Sequence, residues 1–202
     1  MGKDDPLVAK TALNAGVRCY EFGSSPGCEA LVQQNVVCLH LAKGHEHCFS
    51  LADTKLNSSV NKQNAAAAVL AASLAGCSVE AIAAGLGSFT PPPHRMAEVA
   101  AVDDVIFIND SKATNIGALA AALAGCQQPV VLIAGGRDKG SDYTELQDVV
   151  RNKVRSLVLI GEAADLMNDA LGALVPVLRA DSMEEAVLKA KEAALPGDMV
   201  LL

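Results

Sequence analysis

The residues best suited to chemistry form one polar string, Asn109-Asp110-Ser111-Lys112-Ala113-Thr114-Asn115. An apolar run at residues 105–108 precedes it, and an Ala- and Leu-rich run at residues 116–124 follows it. This order predicts a strand, a loop and a helix. Ligands of open α/β sheets bind at the carboxyl ends of strands, and a helix N-terminus attracts anions. The loop would therefore offer one acid, one base, two hydroxyls and two amides to an anionic ligand.

A second polar loop supports this interpretation, although such residues are also ordinary in loops and Thr114 could simply cap the helix. The string Gly135-Gly136-Arg137-Asp138-Lys139-Gly140-Ser141-Asp142 follows a predicted strand at residues 130–134. Because the ends of parallel strands lie at one edge, we expect Lys112 and Lys139 to face a shared crevice. The two glycines would let the backbone approach a ligand. The simpler alternative for Lys139 is a solvated loop charge.

Composition limits the classes of function. The 202 residues are 51% hydrophobic and 19% charged, which predicts one large or two small domains with a packed core. The net charge of −7 and the lack of a basic stripe argue against nucleic acid as a partner. No apolar run is long enough to span a membrane. We expect the six cysteines to be reduced, mostly buried thiols of a cytoplasmic protein.

Residues 1–90 differ in pattern from the rest. They predict a helix at 7–15 ending at Gly16, a strand at 19–22, and a hairpin whose strands at 36–41 and 48–51 flank Lys43-Gly44-His45-Glu46. A helical run at 65–75 opens with Asn61-Lys62-Gln63-Asn64, and Ser78 caps a second helix at 79–86. His45, His47 and Cys48 could be metal ligands. We predict no metal site, because no second ligand pair occurs and they lie at a hairpin turn.

Pro91-Pro92-Pro93 predicts the domain boundary, and an α/β pattern follows it. Asp103-Asp104 joins hairpin strands at 99–102 and 105–108. Further strands are predicted at 130–134, 157–160, 175–178 and 199–202, and helices at 116–124, 144–152, 163–171 and 183–194. Ser182 and Glu185 form a capping-box signature. The alternation predicts a parallel sheet covered by helices on both faces.

Four stretches resemble the Mur ligases of peptidoglycan synthesis: Pro93-His94-Arg95-Met96, residues 109–115, Gly135-Gly136-x-x-Lys139, and Pro196-Gly197-Asp198 with the apolar residues after it. The string at 109–115 is that of the members that add D-glutamate. The resemblance implies that residues 1–90 are the last part of a central ATP-binding domain. Residues 91–202 would be most of a C-terminal Rossmann-like domain.

The resemblance also implies an activity. ATP, with Mg²⁺, phosphorylates the carboxylate of UDP-N-acetylmuramoyl-L-alanine, and the amine of D-glutamate then displaces phosphate. Lys112 would be catalytic, and Lys112, Thr114 and Lys139 would bind D-glutamate. The ATP-binding residues would be Asn61, Asn64, Arg95 and Asp110. The Mg²⁺ ligands would lie mostly outside this chain, and we expect a cytoplasmic monomer that binds neither nucleic acid nor membrane.

Some features depart from the family. Val60 stands where members carry a histidine before the first asparagine. No G-x-x-x-x-G-K-[ST] phosphate loop occurs, so we expect it to precede residue 1 and the isolated chain to be inactive. No G-x-G-x-x-G occurs either, which argues against a nicotinamide dehydrogenase. The alternative function is a stand-alone, non-catalytic module that binds a nucleotide or an amino acid.

Overall fold

A computed structural model describes residues 1–5, 8, 10, 18–41, 45–56 and 58–202. The chain divides into two compact units, Met1–Pro91 and Pro92–Leu202. Most of the helix predicted at 7–15 and the turn residues Lys43 and Gly44 lie outside the described residues. No helix among the described residues has both the length and the apolar character needed to cross a membrane.

The first unit contains a four-stranded sheet in the order β1-β2-β3-β4. Its strands are β1 (Phe22–Gly23), β2 (Ala30–Gln33), β3 (Val36–Leu41) and β4 (His45–Ser50). The antiparallel pairing of β3 with β4 confirms that a hairpin forms here, but β4 begins at His45 and not at the predicted residue 48, so His45, His47 and Cys48 lie in the strand and not at the turn. The strand predicted at 19–22 forms only at Phe22–Gly23, as β1. The sequence did not predict β2. A tight turn joins β2 to β3, with Gln34 at a φ of 51°.

Two helices complete the unit: α1 (Ser59–Leu74) packs on the sheet, and α2 (Val79–Ser88) packs against α1. Ser58 caps α1 by accepting from the Asn61 amide, so the helix begins two residues before the predicted opening. Ser78 caps α2 as predicted, and that helix continues two residues past the predicted end at 86. The core of the unit is made of the buried faces of both layers: Val37, Phe49, Leu51, Ala65, Ala66, Val69 and Leu70.

The second unit contains a six-stranded sheet in the order β5-β6-β10-β7-β8-β9. The strands are β5 (Ala97–Val102), β6 (Val105–Asn109), β7 (Val130–Gly135), β8 (Val154–Ile160), β9 (Val177–Ala180) and β10 (Met199–Leu201). The β5–β6 pair is antiparallel, as predicted, and all other pairs are parallel. The Asp103-Asp104 turn is confirmed, with φ values of 54° and 61°. The strand predicted at 175–178 begins at residue 177 instead, since Pro176 has no amide hydrogen for the ladder.

Helices cover both faces of this sheet, as predicted. They are α3 (Ile116–Gly125), α4 (Gln147–Lys153), α5 (Ala164–Leu171) and α6 (Met183–Ala193). One core joins α3, α4 and α5 to residues such as Leu132 and Leu157, and the other joins α6 to Val131 and Val158. The helix predicted at 144–152 is a 3-10 turn, Tyr143–Leu146, followed by α4.

The capping box predicted for α6 forms in a modified way. Ser182 Oγ accepts a hydrogen bond from the Glu185 amide at 3.1 Å. The Glu185 carboxylate accepts from the Asp181 amide at 2.8 Å, one residue earlier than the standard motif requires. The helix start is therefore capped at both of these amides.

The prediction of six reduced cysteines was wrong, because Cys38 and Cys48 form a disulfide across β3 and β4. The two residues are directly opposite in the strand register, which brings their Cα atoms to 4.1 Å. The expectation of mostly buried thiols fits Cys28 and Cys126, whereas Cys19 and Cys77 are exposed.

An ion pair fixes the entry to β10. Asp198 is only 2% exposed, and Arg155 Nη2 donates to its Oδ1 at 3.0 Å while the Leu195 amide donates to its Oδ2 at 2.9 Å. Burial alone would raise the pKa of the Asp198 carboxyl. The hydrogen bonds and the positive charge of Arg155 outweigh burial and lower that pKa below its usual value.

Asp198→Ala should lower the free energy of unfolding by about 2–3 kcal/mol at pH 7, because it leaves the Leu195 amide and Arg155 without their acceptor. A carboxyl with a lowered folded-state pKa stabilises the fold above its unfolded pKa of about 3.9. The difference from the native chain should therefore shrink as the pH falls below about 4. The difference in free energy of unfolding is measured by urea unfolding, followed by circular dichroism at each pH. Asp165→Ala, which removes a carboxylate from an exposed ion pair with Arg179, is the control and should change little.

Candidate functional site

A cavity of about 420 Å³ lies at the carboxyl edge of the second sheet. Its walls come from the loops after β6, β7 and β8 and from the end of β10. The lining residues include Asp110, Ser111, Thr114, Asn115, Gly136, Arg137, Lys139, Ser141, Tyr143, Gly161 and Leu202. The sequence predicted that both polar loops, residues 109–115 and 135–142, lie at this edge. Residues from both loops line the one cavity.

The first polar loop is held by its own side chains. Asn109 Oδ1 accepts from the Ser111 amide at 3.1 Å and from Ser111 Oγ at 2.8 Å. Asn115, not Thr114, caps α3, because its Oδ1 accepts from the Ala118 amide at 2.8 Å. The alternative in which Thr114 is merely a helix cap is therefore wrong. Thr114 is exposed at the cavity wall.

The second polar loop depends on glycine. Gly135 has a φ of 140°, and a Cβ atom there would lie 1.8 Å from the carbonyl oxygen of Ile160. The following residue, Gly136, donates its amide to that same carbonyl at 2.8 Å. Asp138 then closes the loop, since its Oδ1 accepts from the Gly140 amide at 3.2 Å and from Tyr143 Oη at 3.0 Å. The strand end and the loop are thus packed too closely for a side chain at residue 135.

Lys139 connects the two loops. Its Nζ donates to the carbonyl oxygen of Thr114 at 3.1 Å, across 25 residues of sequence. The ammonium group uses one of its three hydrogens in this bond, so it retains donors for a ligand. An exposed cation and the exposed hydroxyl of Thr114 therefore lie at the same cavity, which can receive a carboxylate.

Lys112 does not meet the expectation of a crevice shared with Lys139, because it is not among the residues that line the cavity. Its amide donates to the carbonyl of His94 at 3.1 Å, and its side chain is exposed. The backbone of Lys112 is therefore held against the segment that carries Arg95. Sequence reasoning treated the whole polar string as one surface, whereas the loop turns at this residue.

Arg95 is placed by an unusual backbone. His94 and Met96, on either side of it, have φ values of 64° and 45°, which non-glycine residues rarely adopt. Three contacts hold the segment to the first polar loop. Besides the Lys112 bond, His94 Nδ1 pairs with Asn109 Nδ2 at 2.9 Å, and the Met96 amide donates to Asp110 Oδ1 at 2.9 Å. Such conformations persist where surrounding contacts fix them, and they cluster at functional sites.

Asp110 is half-buried beside this segment. Burial raises the pKa of its carboxyl, and the Met96 amide and the charge of Arg95 oppose that rise without cancelling it. The exposed guanidinium of Arg95 is thus electrostatically coupled to the Asp110 carboxylate. The structure brings together Arg95 and Asp110, two of the residues that sequence reasoning assigned to nucleotide binding.

The other two predicted nucleotide-binding residues, Asn61 and Asn64, lie in the first unit. Both are in the first turns of α1, where Asn61 Nδ2 donates to the Lys55 carbonyl at 3.4 Å. Asn64 is exposed and lines an apolar cavity of about 420 Å³ between α1 and α2, whose other walls include Val69, Ile82 and Phe89. Asn61 does not line this cavity.

Residues 94–202 match the protein family described as Mur ligase, glutamate ligase domain. The chain belongs to this family. It is 44% identical over 207 residues to a UDP-N-acetylmuramoylalanine--D-glutamate ligase of Legionella pneumophila (strain Lens), in an alignment that covers 99% of this chain and 46% of that relative. The chain therefore spans about half the length of the curated relatives it matches.

Solved structures of Mur ligases and related enzymes share the fold. MurF from Acinetobacter baumannii matches with a TM-score of 0.68 and 20% identity, covering 100% of this chain and 47% of that one. A bifunctional folylpolyglutamate synthase/dihydrofolate synthase with Mn, AMPPNP and L-glutamate bound matches with a TM-score of 0.68 and 22% identity. The match covers 98% of this chain and 48% of that one. At these identities the likeness concerns the fold alone.

Sequence reasoning missed two roles at this Mur ligase cavity. Tyr143 was not singled out, yet its hydroxyl fixes Asp138 and so closes the loop that carries Lys139. Asn115 was included in the polar string but was not recognised as the cap of α3. An asparagine directly before the first apolar residue of a helix is a cap signal and could have identified Asn115.

Gly135→Ala should lower the free energy of unfolding by about 3 kcal/mol or more, because the added methyl group overlaps the Ile160 carbonyl and the backbone must shift. Gly140→Ala is the matched control. It also has a positive φ, 71°, but an added Cβ meets no atom within 4 Å, so it should cost only about 1 kcal/mol of backbone strain. Urea unfolding measures both, and equal effects of the two substitutions would contradict this account.

Proposed function

We propose that this chain forms part of an ATP-dependent ligase that joins D-glutamate to UDP-N-acetylmuramoyl-L-alanine in peptidoglycan synthesis, in the cytoplasm. The observation that carries the proposal is the contact of Lys139 with Thr114 at a cavity of about 420 Å³. The 44% identity to a relative of that name supports it. The relative's activity belongs to a protein about twice as long, so the proposal concerns the whole protein that contains these residues.

The cavity suits an amino acid with two carboxylates. Lys139 and Arg137 both line it and supply two positive charges, and the Thr114 hydroxyl supplies a further hydrogen-bond partner. Lys139 is held by Thr114 before any ligand arrives, so little side-chain freedom is lost on binding. We assign D-glutamate to this cavity, with its carboxylates toward Lys139 and Thr114.

Four residues are assigned to ATP, and each unit is considered by itself. Arg95 suits a phosphate because its guanidinium is exposed and its backbone is fixed by three contacts, and Asp110 beside it suits a ribose hydroxyl. Asn64 suits adenine, since a flat base needs apolar walls and an amide that reads its edge, and Asn64 stands at such a cavity. Asn61, three residues earlier on the same face of α1, would support Asn64 in binding adenine.

No residue of this chain is assigned to Mg²⁺. Asp110 lines the cavity and accepts a hydrogen bond from Met96, whereas Asp138 lies in the second polar loop and accepts from Gly140 and Tyr143. Among the described residues, neither carboxylate belongs to a group of three or more potential metal ligands. The ion would be held mostly by residues outside this chain, as the family resemblance implies.

Catalysis would depend on a positive charge that lies beside the reacting oxygen atoms before the reaction begins. ATP converts the carboxylate of UDP-N-acetylmuramoyl-L-alanine to an acyl phosphate, the D-glutamate amine attacks it, and the tetrahedral intermediate expels phosphate. Negative charge gathers on oxygen atoms throughout, and a cation placed beside these oxygens lowers the barrier. We assign this role to Lys112, whose backbone is held beside the Arg95 segment.

Lysine substitutions in the whole protein test these roles. Lys112→Ala should reduce turnover several hundredfold, on the order of 3–4 kcal/mol for one lost preorganised charge. Lys139→Ala should raise the KM for D-glutamate at least tenfold, because it removes a cation that binds the substrate. Lys191→Ala, which removes an exposed lysine paired with Asp103, is the control and should leave both constants unchanged. The measurement is D-glutamate-dependent phosphate release, and a change below threefold would remove either lysine from the site.

The 202-residue chain by itself should release no phosphate in the presence of ATP, Mg²⁺, UDP-N-acetylmuramoyl-L-alanine and D-glutamate. The reason is that its sequence contains no phosphate loop of the G-x-x-x-x-G-K-[ST] type. A coupled phosphate assay on the purified chain measures this. D-glutamate-dependent release would show that the catalytic groups are all within these residues.

A further inference from the structure

The outer face of the β3–β4 hairpin carries four metal-ligating groups. In the strand register Cys38 is opposite Cys48, and His40 is opposite Glu46. Side chains alternate between the two faces of a strand, so these two pairs share one face. The other face holds Val37, Leu39 and Phe49 in the core. Two sulfurs, an imidazole and a carboxylate therefore share one face of the hairpin, where Cys38 is buried and the other three residues are exposed.

The distances within this cluster are close to those of a metal site. Cys48 Sγ lies 3.7 Å from Glu46 Oε1, and His40 Nε2 lies 3.8 Å from the same oxygen. The ligand atoms of Cys38, Glu46 and Cys48 are all within 4.8 Å of one another. With metal–ligand bonds of about 2.0–2.3 Å, the ligand atoms of a tetrahedral zinc site are about 3.3–3.8 Å apart. To reach this geometry, the two sulfurs must move apart after reduction of the disulfide, and His40 must turn toward them.

The disulfide determines when these groups can bind a metal. A thiolate binds zinc, whereas a sulfur in the Cys38–Cys48 disulfide does not offer that negative charge. Cys48 is exposed, so a reductant can reach the bond. His40 and Glu46 have side chains that are 42% and 60% exposed, and so are free to turn toward an ion.

We propose that the reduced hairpin binds one Zn²⁺ through Cys38, Cys48, His40 and Glu46. A dithiol reduces the disulfide with two electrons and two protons and leaves as its own disulfide, which produces the Cys38 and Cys48 thiols. Zn²⁺ then replaces the two thiol protons, which pass to the solvent. The site favours zinc over Mg²⁺ because two of its four ligands are soft sulfur atoms.

The proposed zinc site is independent of the proposed ligase activity. None of its four residues is assigned to ATP or D-glutamate, and its measurement follows metal binding instead of phosphate release. Oxidation to the disulfide removes both sulfur ligands at once. The hairpin would thus exchange a covalent cross-link for a metal cross-link at the same two sulfurs.

Cobalt titration tests the site in the full 202-residue chain. Co²⁺ takes the place of Zn²⁺ and gives visible d–d bands and a near-ultraviolet sulfur band when thiolates bind it tetrahedrally. The disulfide is reduced with a water-soluble phosphine, which takes an oxygen from water and leaves as its oxide. We expect one Co²⁺ per reduced chain, displacement of Co²⁺ by one equivalent of Zn²⁺, and no such bands from the oxidised chain.

Substitutions assign the ligands. Cys48→Ser should reduce the sulfur band at least twofold, because one of the two thiolates is lost, and His40→Gln or Glu46→Gln should each weaken Zn²⁺ binding at least tenfold. The two exposed ligands, His40 and Glu46, can be replaced without altering the core, so these variants remain informative if Cys48→Ser does not fold. Cys77→Ser removes an exposed thiol of the same unit and should change nothing. The proposal is overturned if the reduced chain binds no Co²⁺, or if His40→Gln and Glu46→Gln both bind as tightly as the native chain.

Discussion

The insertion of β10 between β6 and β7 is the constraint on which the second unit depends. Met199 pairs with both Ile106 and Val130, so one short buried strand sets the register of two neighbours. Because adjacent strands are about 4.8 Å apart, β10 holds the ends of β6 and β7 about 10 Å from each other. The cavity lies at these strand ends, where the long side chain of Lys139 reaches the Thr114 carbonyl. The Arg155–Asp198 pair fixes where β10 begins, so a buried charge contributes to the geometry of the site.

Much of this architecture could be predicted, because periodicity and turn chemistry act locally. Residues 130–134 are apolar at every position, as expected of a parallel strand covered on both faces, and all five are buried. The Asp103-Asp104 turn also follows from residue type, since aspartate tolerates positive φ. Local signals fail where an element is short or polar. The strand β2 has only four residues, too few for a clear alternation of apolar and polar side chains, and it forms because β3 pairs with it.

The candidate site was predicted less completely than the fold, because side-chain contacts depend on how loops turn. The polar residues and the edge of the sheet could be read from sequence. The position of Lys112 could not, since it depends on a bond from its amide to His94. The positive φ values of His94 and Met96 have no sequence signal, as neither residue is a glycine. The disulfide was missed although Cys38 and Cys48 each stand five residues from Lys43, the first residue of the predicted turn.

The antiparallel strand β5 has a consequence for the behaviour of the protein at high concentration. It lies at one edge of the sheet, and Val99 on it is 63% exposed, which would invite pairing with the edge of another molecule. A β-bulge between Glu98 and Ala100 interrupts the regular row of backbone groups. Asp103 and Asp104 place two negative charges at the end of the same edge. The hairpin that begins the sheet therefore also protects it from edge-to-edge aggregation.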